Sequence, residues 1–464
     1  MGITELRVAQ GIYRPDRDEA NRFGTGDRTA TFQLISGVAL RGGYAGAVAP
    51  DPDARNIDLY EAILSGDLLG NDGPGFQDND ENSFHVVTGS NTDRTAVLDG
   101  FTILGGNATG YGFGGGIFTD SGSPTVMRCT FVANSATFGG AMNNQANSSP
   151  SVMYCVFAGN QAGTGAGIRN DEGSSPMVYR CGFTGNVANR GGAGIYSERN
   201  CNPTVIACEF IGNSALGTDP FSGGGAVHNN FLVNSTFINC TFVNNSAVLG
   251  GAMMNRDGKG FGPPDTTIIN CTFAGNTAES SGGGMSVLAG GPEVTNCVFW
   301  YNAPDQIRDA PGTFATVNYS NVQGGWPGAG SNNIDAEPML VDPDRGDVRL
   351  SPGSPCIDAG DNTAVTGEVT SDAGGNPRFV DDPDTPDTGN PGAPGPIVDM
   401  GAYELQEISC LADIDDNGVV EPPDLALLLA VFGTADPDAD VNYDGTVNVL
   451  DLIELLLAFG AVCP

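Results

Sequence analysis

The hexapeptide Cys-x-Phe-x-x-Asn occurs seven times between residues 129 and 302. Its cysteines are Cys129, Cys155, Cys181, Cys208, Cys240, Cys271 and Cys297, each followed two residues on by Phe and five on by Asn. Successive cysteines lie 26, 26, 27, 32, 31 and 26 residues apart. A period of this size means stacked units, because one such unit cannot bury its own apolar face. The chain is therefore a solenoid before any other property is considered.

The residues inside a period select the kind of solenoid. They form short apolar runs separated by Gly, Asn, Ser and Pro, none long or periodic enough for a helix. Cys129 and Phe131 share a face by alternation. A second apolar column, Val126, Val152, Val178, Val205, Phe237, Ile268 and Val294, stands three residues before each cysteine. An offset of three cannot share a face on a straight strand, so a bend is expected between the two columns. The motif Asn marks a second bend, since Asn tolerates left-handed angles and stacked amides can hydrogen-bond from rung to rung. A glycine cluster closed by an apolar residue follows, as in Gly139, Gly140, Ala141, Met142 and Gly192, Ala193, Gly194, Ile195. Three short strands with bends between them predict one rung of a parallel β-helix, stacked at roughly 4.8 Å. The Phe column should stack in the core. The cysteines should form a ladder of buried thiols, because there is no Cys-x-x-Cys pair and the only histidines are His85 and His228. Parallel stacking also offers poor disulfide geometry.

The glycine-cluster and Phe-x-x-Asn signatures resemble the repeats of polymorphic outer-membrane proteins and other right-handed parallel β-helix proteins, over roughly residues 95–302. The resemblance implies an all-β, right-handed parallel β-helix and leaves activity open, since that fold carries lyases, hydrolases, adhesins and stalks. Residues 1–94 read as irregular N-terminal rungs with an acidic loop at 70–82, either solvated or Ca²⁺-binding. Residues 303–405 read as C-terminal rungs and a cap with an Asp/Pro/Gly loop, similar to the closing segment of secreted bacterial β-helix proteins. That segment is expected to cover the last rung so that no bare sheet edge remains. The first residues show neither the basic start nor the apolar core of a signal peptide. The chain opens almost inside a strand, so a leader and a first rung are expected to be missing from it. No apolar run approaches membrane-spanning length.

Residues 410–464 change character, with 11 Asp or Glu and no Lys or Arg. Asp413, Asp415, Asn417, Gly418, Glu421 and Asp424 occupy positions 1, 3, 5, 6, 9 and 12 of one loop. Asp440, Asn442, Asp444, Gly445, Asn448 and Asp451 occupy the same positions of a second. Oxygen donors in this pattern, with Gly at 6 and the carbonyls of Val419 and Thr446 at 7, make Ca²⁺ loops. Each loop runs into an apolar helix, 424–432 and 451–459, closed by Gly433 and Gly460, and matched residues lie 27 apart. The duplication resembles a type I dockerin, which implies a calcium-loaded module that docks on cohesin. Dockerins usually carry small hydroxyl residues at loop positions 10 and 11, where this chain has Pro422 and Pro423, then Val449 and Leu450. Calcium binding therefore transfers and cohesin binding does not. Cys410 and Cys463 bracket the module, either as two unrelated thiols or as a disulfide worth roughly 3–4 kcal/mol.

A net charge of −36 and a pI near 4.1 exclude nucleic acid and anionic membrane surfaces as partners, since both need basic patches. They suit a calcium-rich exterior, so an extracellular or cell-surface location is expected. Segments following the glycine clusters present Asp120, Arg169, Asp171, Glu198, Arg199, His228, Arg256 and Asp257. Neighbouring rungs could bring Asp171, Glu198, His228 and Arg256 onto one strip, where carboxylates with Arg or His could do acid–base work on an acidic sugar. Any solenoid exterior must be polar in any case, and no local motif of pectate lyases or polygalacturonases is present. Three functions follow. The first is a carbohydrate-binding or adhesive solenoid whose calcium module docks on a cohesin-like or surface partner. The others are a polysaccharide lyase or glycoside hydrolase, and a passive stalk.

Overall fold

The computed structural model describes residues 3–219, 221–256, 266–365, 367, 369–393, 395–406, 412–415, 417–436, 439–441 and 446–460. Asp257, Asn442, Asp444, Gly445, Cys410 and Cys463 lie outside the described residues, and with them part of the second loop and the proposed disulfide. The chain separates into two compact units, Met1–Glu404 and Leu405–Pro464.

The first unit is a parallel β-helix. Eleven strands from Glu5–Ala9 to Thr316–Asn318 form one sheet, and eleven from Gly11–Tyr13 to Asn321–Val322 form a second. Ten strands from Phe32–Gln33 to Ile307–Asp309 form a third. The expected three strands per rung become four in the middle of the rod, where seven strands from Asn107–Phe113 to Thr277–Ser281 add a further sheet. One rung runs Thr125–Met127, Thr130–Val132, Ser135–Phe138, Met142–Gln145. The fourth strand hid in the sequence because Ser135, Ala136 and Thr137 carry little apolar signal.

Three left-handed residues turn each rung. The residue before each cysteine, such as Arg128, Tyr154 and Arg180, has φ of 49–55°. The first glycine of each cluster has φ of 56–69°. Gly192 shows why no side chain serves there, since a Cβ would sit 2.4 Å from the Ile195 carbonyl oxygen. The remaining corner corrects the sequence reading. The residue before the motif Asn, such as Ala133, Gly159 or Gly212, takes the left-handed angle, with φ of 53–66°. The Asn itself is held inside as a ladder. Asn134 Nδ2 donates to Asn160 Oδ1 at 3.1 Å, and the chain continues through Asn186, Asn213, Asn245, Asn276 and Asn302 at 2.8–3.0 Å. Each Oδ1 also accepts the backbone N–H of the Asn one rung earlier, at 2.9–3.1 Å. Gln306 ends the ladder, accepting from Asn302 Nδ2 at 2.7 Å. Every buried amide in it is satisfied, so these polar side chains cost little to bury.

The apolar columns behave as read. Phe131, Phe157, Phe183, Phe210, Phe242, Phe273 and Phe299 stack at 4.3–4.8 Å between ring centroids, within 9° of parallel. The seven motif cysteines are buried free thiols. The N–H of one points at the sulfur of the next, as in Cys155 to Cys181 at 3.4 Å, and Ser320 takes over after Cys297 at 3.0 Å. Burial pushes the Cys129 thiol up, as expected of a thiol sealed in an apolar core.

After the last rungs, residues 329–334 pair with Thr316 and Asn321 at the end of the stack. The following segment does not stay there. Strands Leu340–Asp342 and Asp347–Leu350, with the residues up to Glu404, run back along the flank. Leu340, Val348 and Tyr403 cover Ile211, Val243 and Ala274, while Val365, Val369 and Val398 cover Ile206 and Ile238. The physical reason is that these rungs present apolar residues on the outer face of their strands, which water would otherwise meet. Arg378, fully buried, donates to the carbonyls of Asp399 and Gly401 at 2.8 Å each and lies 3.4 Å from Glu404. Among the described residues no helix is long and apolar enough to cross a membrane.

Candidate functional site: an outer groove and a pair of acidic loops

The outward face of the ten-stranded sheet carries the candidate strip. Ile168, Ile195, Val227 and Met253 belong to the core. The next residue of each strand, Arg169, Tyr196, His228 and Met254, is in register from rung to rung on the opposite face. Glu198, Asn230 and Arg256 form a second register line. Fourth-strand residues Phe113, Phe138 and Thr164, together with Arg190 and Phe221, wall this face into a groove of about 520 Å³. All four residues expected there, Asp171, Glu198, His228 and Arg256, line it.

Their electrostatics are not those of a free acid–base pair. Asp171 accepts from Arg199 Nε at 2.6 Å, from Arg169 Nη2 at 2.8 Å and from the Glu172 N–H at 2.8 Å. Glu198 Oε1 pairs with the same Arg169 nitrogen, and its Oε2 accepts from the Tyr196 hydroxyl at 3.2 Å and Asn230 Nδ2 at 3.4 Å. Two carboxylates thus share two guanidiniums, and neither sits in the apolar pocket that keeps a catalytic acid protonated. Burial, and then the Glu198 charge, push the Tyr196 phenol well up, so it donates and does not ionise. Burial pushes His228 down to about 3, with Arg256 adding to the effect. Its neutral ring lies edge-on to Tyr196 at 5.0 Å, and neither ring nitrogen makes a well-formed hydrogen bond. Arg256 stacks over the half-exposed Phe221 ring at 4.0 Å, and Arg169 over Phe138 at 4.7 Å.

Sequence reasoning missed Tyr196, Phe138 and Phe221. A signal was available in the period itself. Asn213 to Gly224 spans 11 residues where Asn186 to Gly192 spans 6, so the long step at Cys208 marks an inserted segment that delivers Phe221. A larger hollow, of about 850 Å³, lies between Asn302 and Gly328 around Trp326.

In the second unit, helix α1 spans Pro422–Ala430 and helix α2 Val449–Leu457, each starting earlier than its loop-closing aspartate. Asp424 and Asp451 are their third residues and accept the N-cap N–H of Glu421 at 2.8 Å and of Asn448 at 2.7 Å. The two halves exchange backbone bonds, Gly433 N–H to Val447 O at 2.7 Å and Gly460 N–H to Val420 O at 2.8 Å. The core repeats with the 27-residue offset: Ala412 with Ala439, Val420 with Val447, Leu428 with Leu455. In the first loop Asp413 accepts from the N–H groups of Asn417 at 3.1 Å and Gly418 at 2.8 Å. Carboxylate oxygens of Asp413, Asp415 and Asp424 lie within 4.8 Å of one another, with Asp413 and Asp424 buried. Oxygens this close could be shared by one hard cation. Asn417 and Glu421 flank this cluster, joined at 3.4 Å, while Asp440 is buried in the second loop. A third acidic group, Asp67, Asp72 and Glu81, gathers beside the 70–82 loop, where burial pushes Asp72 up to about 6.

Compared with known proteins, the chain matches no family model and no curated sequence, so its parallel β-helix and the geometry of these sites carry the functional reading.

Proposed function

We propose that the protein binds an extended polysaccharide along the outer groove of its β-helix, outside the cell or at its surface, and is docked or anchored through a calcium-loaded, dockerin-like module at 405–464. One observation carries the groove reading. The aromatic side chains Tyr196, Phe138 and Phe221 line the groove beside Arg169, Arg199, Asp171 and Glu198, whose charges are paired with one another. Rings offer apolar surface to sugars while the paired polar groups take hydroxyls. For the module, support comes from the loop carboxylates and from a row of exposed apolar residues on α2, Val449, Leu450, Ile453, Leu456 and Leu457. An exposed apolar face of this kind suits a protein partner recognised by apolar contact, not by the hydroxyl pair of a typical dockerin.

The rival reading, a polysaccharide lyase or glycoside hydrolase, is favoured by the convergence of Asp171, Glu198, His228 and Arg256 in one groove. A glycan screen in calcium separates the two, with unsaturated products and reducing ends followed alongside binding. Binding without turnover, weakened about tenfold by Phe221→Ala, is the expected result. Turnover that disappears in Glu198→Gln would transfer the protein to the enzymes, and no binding to any acidic or neutral glycan would leave the stalk.

A further inference from the structure

Acidic residues converge a second time within the first unit, on the segment that folds back along the flank. Asp358 is fully buried there. Its main-chain carbonyl accepts the N–H groups of Thr388 and Gly389 at 3.0 Å each, which fixes the 381–390 loop against it. Its Oδ2 accepts the Asp382 N–H at 3.2 Å, but its Oδ1, shut off from solvent, accepts nothing. Carboxylate oxygens of Asp381 and Asp387 from that loop come within 4.8 Å of Asp358 and of each other. No Arg or Lys pairs with any of the three among the described residues; the buried Arg378 faces Glu404. Burial first, then the charges of Asp399, Asp381 and Asp387, push the Asp358 carboxyl up to about 7.

A buried carboxylate oxygen without a partner, ringed by other carboxylates, is too costly to leave uncompensated. The donors are all hard oxygens, with no imidazole or thiol among them, which selects an alkaline-earth cation over zinc or copper. Oxygens that all lie within 4.8 Å of one another can share one ion at the Ca²⁺–oxygen distance of about 2.4 Å, and an irregular set of three carboxylates suits the flexible shell of Ca²⁺ better than the strict octahedron of Mg²⁺. We infer that Asp358, Asp381 and Asp387 hold a Ca²⁺ ion that clamps the 381–390 loop onto the flank of the solenoid. The ion supplies the partner that Asp358 Oδ1 lacks and lets the exposed Asp381 and Asp387 act as a lid over it. This site is independent of the loops at 413–451.

The test uses the full chain carrying Asp413→Ala and Asp440→Ala, so that the terminal loops do not contribute. After chelation, calcium is titrated by calorimetry and the 381–390 loop is probed by limited proteolysis. This protein should still bind calcium, and adding Asp381→Asn with Asp387→Asn should lower the stoichiometry by about one ion per chain. Both aspartates are exposed, so these changes leave the core intact. The loop should be cleaved at least tenfold faster in that variant, matching the unsubstituted protein in chelator. Asp358→Asn should have the same effect on stoichiometry. A stoichiometry unaltered by Asp381→Asn with Asp387→Asn, or no calcium bound before those changes, overturns the assignment whatever the terminal loops bind.

Discussion

Both units of this chain are built by repetition, but they repeat in opposite ways. The solenoid repeats by translation, so each rung meets the next through the same columns and each motif Asn left inside is answered by its copy one rung away. The second unit repeats once and closes on itself, with Gly433 bonded to Val447 and Gly460 to Val420. The difference decides how each handles buried polarity. The solenoid buries neutral amides that satisfy one another in a chain. The second unit buries carboxylates, Asp413, Asp424, Asp440 and Asp451, in a stretch that has no Lys or Arg to meet them. The amide ladder answers itself, whereas the loop carboxylates are met by backbone N–H groups and, on the proposed reading, by a cation.

That contrast can be broken most visibly at the loops. Asp413→Ala with Asp440→Ala should abolish the calcium-dependent melting of 405–464 while the solenoid transition stays in place. Equal melting of the unsubstituted unit with and without chelator would remove the cation from the account. Within the solenoid, Asn186→Ala orphans the Asn160 N–H and takes one partner each from Asn160 Nδ2, Asn213 Oδ1 and the Phe157 carbonyl, while the main-chain N–H of residue 186 still reaches Asn213 Oδ1. At about 1–3 kcal/mol for the orphaned group, and less for each lost partner, its cost in chemical denaturation should approach that of a large core truncation. Phe210→Ala supplies that reference at roughly 3–5 kcal/mol. A neutral Phe210→Ala would mean that the ring column is not internal, and an Asn186→Ala far milder than Phe210→Ala would mean that water replaces the ladder.

The smallest expected effect is at His228. Its folded value of about 3 lies below the ordinary 6.5, so as pH falls the unfolded chain takes the proton first. The associated stability is therefore complete above about pH 6.5 and drains away as pH falls toward about 3. His228→Gln should flatten the slope of solenoid stability across that window, read by denaturation at about pH 7 and about pH 4. An unchanged slope would place the imidazole in water.

Much of this molecule could be read from its residues because translation copies every constraint seven times. The Val126, Cys129 and Phe131 columns declared an inner face, and their offset declared a bend. What stayed hidden depends on contacts between different rungs. The left-handed residue beside the motif Asn varies between Ala, Gly, Asn and Tyr, so no residue type announced it, while the uniform Asn next to it drew attention. The pairing of Arg169 with both Asp171 and Glu198 joins two strands of the third sheet, a distance that spacing alone does not report. Likewise the 340–404 segment had clear turn chemistry, yet nothing in it showed that Val243 and Ala274 would need covering several rungs back.

The inner ladders also make rungs interchangeable. Each junction presents the same thiol, ring and amide to its neighbour, so excising or duplicating one period alters the length of the rod by about 4.8 Å and leaves every junction chemically unchanged. A gene of this design can drift in repeat number without passing through an unfolded product. The freedom stops at the groove, where Phe221 meets Arg256 and Arg169 meets Glu198 across particular rungs. Variation in length among related chains should therefore accumulate before residue 169 and spare the rungs from there to 296, which the groove and the returning 340–404 segment tie to particular partners.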